Sequence, residues 1–174
     1  MAFLENNKIR LRALEPEDLG VLYRWENDTA LWHHGSTLTP FSKYVLRDYI
    51  ANSSQDIFQT RQLRLLIVEK QTETPVGAID LYDFDPVNLR AGVGILIDSA
   101  YQRQGFGLQA LQLIKNYASQ VLFLKQLYVV VPQSNEPSYR LFQKSGFETA
   151  GILKDWIKTP EGFVDAYIMQ AYSK

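Results

Sequence analysis

The tightest constraint on this chain lies where an apolar stretch runs through a short loop and a glycine-containing turn straight into a long helical pattern. The residues are Ile95-Leu96-Ile97-Asp98-Ser99-Ala100-Tyr101-Gln102-Arg103-Gln104-Gly105-Phe106-Gly107. A helix that starts this way leaves backbone N–H groups without intrahelical partners at the positive end of its dipole. Glycines let an anion come close to that backbone, so a phosphate or pyrophosphate is a natural ligand. An ordinary loop, with Gly105 and Gly107 serving turn geometry only, fits the same spacing. Two familiar phosphate loops do not fit. No Gly-Lys pair exists for a P-loop, and Gly92-Val93-Gly94 has Ile97 where the dinucleotide fingerprint needs its third glycine.

Around this unit, residues 8–14 alternate Ile9, Leu11 and Ala13 against charge, as a half-buried strand does. Pro16, Glu17 and Asp18 open a helix, and a second helix is predicted over 42–50 with Ser42 as its cap. Residues 27–40 read as irregular. Strands are predicted over 63–69, 76–82, 90–97 and 126–131, helices over 107–122 and 137–144, and a closing pair of strands over 147–153 and 162–169. Gly92 and Gly94 inside a strand indicate a bulge or a close approach of a ligand to the backbone. Antiparallel strands followed by strand–helix–strand–helix–strand give an α/β (α+β) fold. It is expected as one domain over 1–174, with a mixed, mostly antiparallel sheet flanked by helices.

Composition removes several function classes. The chain has 174 residues, 46% of them hydrophobic and 21% charged, the balance of a globular protein with a buried core. A formal net charge of -1 gives no bulk drive toward nucleic acid. The absence of cysteine rules out disulfides, Cys-ligated zinc, iron–sulfur clusters and thiol catalysis. His33 and His34 have no third ligand at metal spacing, so no metal is expected. No apolar run of about 18 residues exists, and the first residues lack a basic region followed by an apolar core. No membrane partner and a cytoplasmic location are therefore expected.

Gln102-Arg103-Gln104-Gly105-Phe106-Gly107 resembles the Q/R-x-x-G-x-G/A motif of the GNAT family of N-acetyltransferases. Downstream, Asn135-Glu136-Pro137-Ser138 and Leu141-Phe142-Gln143-Lys144-Ser145-Gly146-Phe147 resemble its N-x-x-S-x-x-L-Y/F-x-K-x-G-F block. The Arg-Leu-Arg first strand and Trp25-Glu26-Asn27-Asp28 resemble the subgroup holding ribosomal-protein N-terminal acetyltransferases and spermidine acetyltransferases. The resemblance implies direct acetyl transfer from acetyl-CoA to a primary amine, either a protein N-terminus or a small amine. It implies pyrophosphate contacts from Gln102, Arg103, Gln104, Gly105, Phe106, Gly107 and Leu108. The pantetheine arm would pair with Ile95, Leu96 and Ile97 in a gap splayed between the strands at 90–97 and 126–131. Asn135, Ser138 and Phe142 would line the arm, with Lys144 near a phosphate.

Two positions depart from the family pattern. Phe142 stands where these enzymes often carry the Tyr that protonates the departing thiolate, and Gly92 stands where polyamine-acetylating relatives commonly carry a Glu. Tyr139, one helical turn before Phe142, is the candidate acid, though a packed aromatic has the same spacing. Asp80 is the candidate base, with Asp83 and Asp85 next in line, and surface solvation explains all three equally. Glu26, Asp28, Trp32 and His33 are candidate acceptor contacts. A weakly catalytic acyl-CoA-binding module is the second reading. Trp156 and the final strand are a candidate homodimer edge.

Overall fold

Residues 3–32, 37–53 and 56–173 are described by the computed structural model, and His33 lies outside them. The chain begins with β1 (Ile9–Arg12), a 3-10 turn (Pro16–Asp18) and α1 (Leu19–Glu26). Next come α2 (Thr29–Trp32), α3 (Lys43–Asn52) and α4 (Ile57–Thr60). Strands β2 (Leu63–Glu69), β3 (Thr74–Asp85) and β4 (Arg90–Ile97) lead through a 3-10 turn (Ser99–Tyr101) into α5 (Phe106–Gln120). The chain closes with β5 (Gln126–Pro132), α6 (Glu136–Lys144), β6 (Glu148–Thr159) and β7 (Gly162–Tyr172).

All seven strands form one sheet in the order β1-β2-β3-β4-β5-β7-β6. Only β4 and β5 run parallel, so the sheet is mixed and mostly antiparallel, as the sequence pattern predicts. Both faces of its β1–β4 half are covered, which explains why β2 reads as the continuous apolar run Leu65-Leu66-Ile67-Val68 instead of alternating. Leu65 and Ile67 join Ile79, Leu81, Leu111 and Ile114 of α5 on one side. Leu66 and Val68 join Leu22, Trp25 and Ile50 of α1 and α3 on the other.

Most differences from the sequence expectation are in strand ends. β6 extends to Thr159 because its residues alternate only between exposed and half-buried, which leaves no strong apolar period to read. β3 continues to Asp85 through a register shift after Tyr82, where Asp83 takes a positive φ of 48°. Residues 29–32 form one helical turn inside the stretch read as irregular, and α4 carries too few apolar residues to signal itself. Ser42 accepts the Val45 N–H at 3.1 Å and Asn135 accepts the Ser138 N–H at 3.3 Å, so both predicted caps are present.

The expected gap lies between β4 and β5. Their pairing consists of Arg90–Gln126, Ala91–Leu127 and Gly92–Tyr128, and beyond that rung the strands part. β5 turns to β7 for its partner through all seven of its residues. β4 keeps β3 on one edge and, among the described residues, has no strand on the other from Val93 onward. It is buried from Ala91 to Val93 and only half-buried from Gly94 to Ile97, so the fork is open.

Candidate active site

At the open end of the fork, the chain from Asp98 to Gly107 is shaped mainly by backbone and amide contacts. Asp98 accepts the Ala100 N–H at 3.0 Å and starts the 3-10 turn. Gln102 donates to the Ile97 carbonyl at 3.2 Å and Gln104 to the Ala100 carbonyl at 3.3 Å. Arg103 and Gly105 take left-handed φ values of 61° and 82°, which turn the chain sharply into α5. Gly105 occupies the N-cap without a side chain, so the first-turn N–H groups of α5 have no local cap. At Gly107 a Cβ would sit 3.1 Å from Leu141 of α6, so a bare backbone lets α6 approach here. Lys8 braces the loop from below, donating to the Gln104 carbonyl at 2.6 Å with its ammonium 4.5 Å from the Phe106 ring centroid.

The half-buried free edge of β4, the uncapped helix start and the left-handed Gly105 fit an extended, phosphate-bearing arm. Ile95, Leu96 and Ile97 offer that edge, and Gln102 through Leu108 form the turn. Asn135 and Ser138 sit together at the start of α6. Phe142 is fully buried edge-to-face against Phe147 at 5.1 Å, and Lys144 is exposed at the C-terminal end of the helix.

The opposite face of the sheet holds a charged cluster. Arg64 on β2 donates to both oxygens of Asp80 on β3, at 2.7 and 2.9 Å, and to Glu26 at the end of α1 at 2.6 Å. Burial works against the guanidinium charge, but the charge and hydrogen bonds of Asp80 hold its pKa above the ordinary value. The Tyr49 ring of α3 lies 5.6 Å from that guanidinium. Asp80 is thus a tethered carboxylate, and a Cβ at Gly94 would lie in ordinary contact with it, 3.7 Å from Oδ2. Asp28 is exposed and accepts the Ala30 N–H at 3.0 Å, while Trp32 donates to the Glu26 carbonyl at 2.9 Å. Tyr139 shares a 3.2 Å hydrogen bond with Thr149 and packs on Tyr167 at 4.7 Å.

Three features were not legible beforehand. Arg64 is one of many surface-compatible arginines until Glu26 and Asp80 are brought to it. The Asn27 side-chain amide clamps the Phe41 backbone, its oxygen accepting the N–H at 2.8 Å and its nitrogen donating to the carbonyl at 3.0 Å. Asp98 accepts from Trp25 at 2.8 Å and Arg24 at 2.6 Å, tying α1 to the β4–α5 turn. Burial opposes its ionisation, yet the hydrogen bonds of Trp25 and Ala100 and the charge of Arg24 keep its pKa below the ordinary carboxylate value.

Comparison with known proteins identifies the family and the fold. The family described as "Acetyltransferase (GNAT) domain" matches residues 8–148. The uncharacterized N-acetyltransferase p20 of Bacillus licheniformis is 27% identical over 169 residues, 97% of this chain and 94% of that protein. The spermidine N(1)-acetyltransferase of Escherichia coli K12 is 29% identical over 148 residues, 84% of this chain and 76% of the enzyme. The crystal structure of the Vibrio cholerae spermidine N-acetyltransferase with CoA and spermine shares the fold at a TM-score of 0.84 and 21% identity, covering 96% of both chains. No group of three or more His, Asp or Glu suited to a metal occurs among the described residues. No helix among them is long and apolar enough to cross a membrane. The chain belongs to the GNAT acetyltransferases and is an acetyl-CoA-dependent N-acetyltransferase.

Proposed function

We propose that the acceptor is a small cationic primary amine of the polyamine type, bound on the face that carries Glu26, Arg64 and Asp80. The observation that supports this is the charge of that cluster. Two carboxylates surround one guanidinium, so an excess negative charge sits beside the half-buried Gly94 of β4. Asp28 and Asp83, both exposed, add to the field. An ammonium is drawn to such a site, and the low-dielectric surroundings strengthen the attraction. The spermidine acetyltransferases among the relatives favour the same class.

On this reading acetyl-CoA supplies an activated thioester, and the chain supplies the positioning. Backbone groups of Ile95, Leu96 and Ile97 hold the arm. The turn from Gln102 to Leu108 holds the pyrophosphate, and Asn135, Ser138, Phe142 and Lys144 complete the α6 side. Trp32 joins Glu26 and Asp28 on the acceptor side, while His33, a sequence candidate for the same role, lies outside the described residues. Both catalytic candidates from the sequence have engaged polar atoms, Asp80 with Arg64 and Tyr139 with Thr149. Asp80 therefore serves as an electrostatic anchor for the acceptor as well as a base candidate. The protein works in the cytoplasm. It assembles through the sheet edge, which is β6 and not the final strand as expected, because β7 is paired on both sides by β5 and β6; on β6 Trp156 is 57% and Ile152 48% exposed.

The test is thiol release from acetyl-CoA with a panel of spermidine, a monoamine of equal length and peptides with free N-termini. Spermidine turned over at least tenfold more efficiently than the rest supports the proposal. A peptide preferred over spermidine sinks it.

A further inference from the structure

The position that would protonate the departing sulfur is a phenylalanine, so the phenols nearest the closed end of the fork become the question. The pantetheine arm, from phosphate oxygen to sulfur, spans about twelve bonds, the reach of about four extended residues or ~13 Å. Laid along the free edge of β4 from Ile97, it ends near Val93. The next residue, Gly92, forms the last rung that joins β4 to β5, and its partner there is Tyr128. Across β4, Gly92 pairs with Tyr82 of β3. The two tyrosine rings meet edge-to-face over the glycine with centroids 6.2 Å apart. A Cβ at 92 would sit 2.3 Å from the Tyr82 ring, so this floor exists only because residue 92 has no side chain.

We propose that Tyr128 is the proton donor to the CoA sulfur, placed on the acceptor face of the sheet while Phe142 lies buried on the other. The inference rests on the acetyl-transfer reading. The amine nitrogen bonds to the acetyl carbon, the carbon–sulfur bond breaks, and the Tyr128 hydroxyl gives its proton to the sulfur. The phenolate then recovers a proton from the nitrogen through solvent, and the sums balance as amide plus free thiol. Among the described residues neither the Tyr82 nor the Tyr128 hydroxyl has a hydrogen-bond partner, whereas the Tyr139 hydroxyl is held by Thr149. Tyr139 also lies two residues from Leu141, nearly opposite it on α6, and Leu141 is the side chain that meets Gly107 of α5. Burial and the nearby charge of Asp83 raise the Tyr128 pKa, with Asp85 adding to that charge and Arg90 opposing it, so the phenol keeps its proton at neutral pH. Burial, with Tyr128, Asp83 and Asp80 adding, pushes Tyr82 up to about 12.

Tyr128→Phe keeps the ring wall and removes the hydroxyl, and Tyr82→Phe is its control. Turnover, KM for the amine and CoA affinity by calorimetry are measured on both. The ultraviolet absorbance of bound CoA thiolate is followed against pH, a readout independent of turnover. The expected result is a loss of kcat of at least about tenfold in Tyr128→Phe alone, with CoA affinity within about twofold. The bound thiol pKa should rise by about one unit, because a donor to the thiolate has been removed. A Tyr128→Phe kcat within twofold of the parent, or equal losses in both variants, overturns the assignment while leaving acetyl transfer intact. Failure of the parent protein to release thiol with any amine instead overturns the reading on which it rests.

Discussion

On the proposed reading, the two faces of the fork recognise their ligands by different means. On the cofactor side the work is assigned to backbone: a free strand edge, a left-handed glycine and an uncapped helix start. On the acceptor side it falls to side chains that hold one another, Arg64 between Glu26 and Asp80. Backbone recognition needs few residue types in a fixed order and tolerates variation elsewhere. Side-chain recognition needs partners distant in sequence, and any one of them can be exchanged for a different specificity.

Substitutions that damage one side and spare the other sharpen this contrast. Arg64→Met should have the largest effect, because it strands two partly buried carboxylates, at a cost of about 3 kcal/mol. A fall in Tm of about 6–12 °C is expected by calorimetry. At a temperature where both proteins are folded, CoA affinity should stay within twofold while the amine KM rises. Gly105→Val should do the reverse. A β-branched residue at φ of 82° is strained by about 1–2 kcal/mol or more, so CoA affinity should fall about tenfold with little change in acceptor preference.

Asp98→Asn touches both sides, since Asp98 joins α1 to the cofactor turn, and a stability loss of about 1 kcal/mol is expected. Its pH dependence is distinctive. The folded pKa lies below the ordinary carboxylate value, so the native state binds fewer protons than the unfolded chain. The stabilisation is full above about pH 4 and is lost as pH falls through the folded pKa. The variant should therefore lose less stability than the parent between about pH 4 and 2 in acid unfolding curves. The smallest effect belongs to Asn27→Ala, which unclamps Phe41. A few-fold rise in amine KM with unchanged CoA affinity would fit; equal changes in both would break the division between the faces.

This division also decides what the sequence could disclose. Gln102 to Gly107 and Asn135 to Phe147 could be read because their residue types answer to local rules: positive φ at Gly105, a cap at Asn135, helix periodicity after each. Gly92 and Gly94 in an apolar run pointed to a bulge or a close ligand approach, while the splay between the strands came from the family resemblance. Arg64 was not, because its partners Asp80 and Glu26 lie 16 and 38 residues away and no period links them. The pairing of Tyr82 with Tyr128 depends on β3, β4 and β5 being adjacent, which is a property of sheet order and not of spacing. Tyr139 was legible as a helical residue near Phe142, but its direction depends on α6 packing beside β6 and β7, where Thr149 and Tyr167 wait.

The Asn27–Phe41 clamp has an evolutionary consequence. Because one side-chain amide, that of Asn27, holds both the N–H and the carbonyl of Phe41, the join between the two ends of the segment does not call on the identity of the residues between them. Such a segment behaves as a cassette. Its length and chemistry can drift under selection for new acceptors while α1, α3 and the cofactor fork stay in register, so one scaffold can be re-addressed to a different amine without being rebuilt.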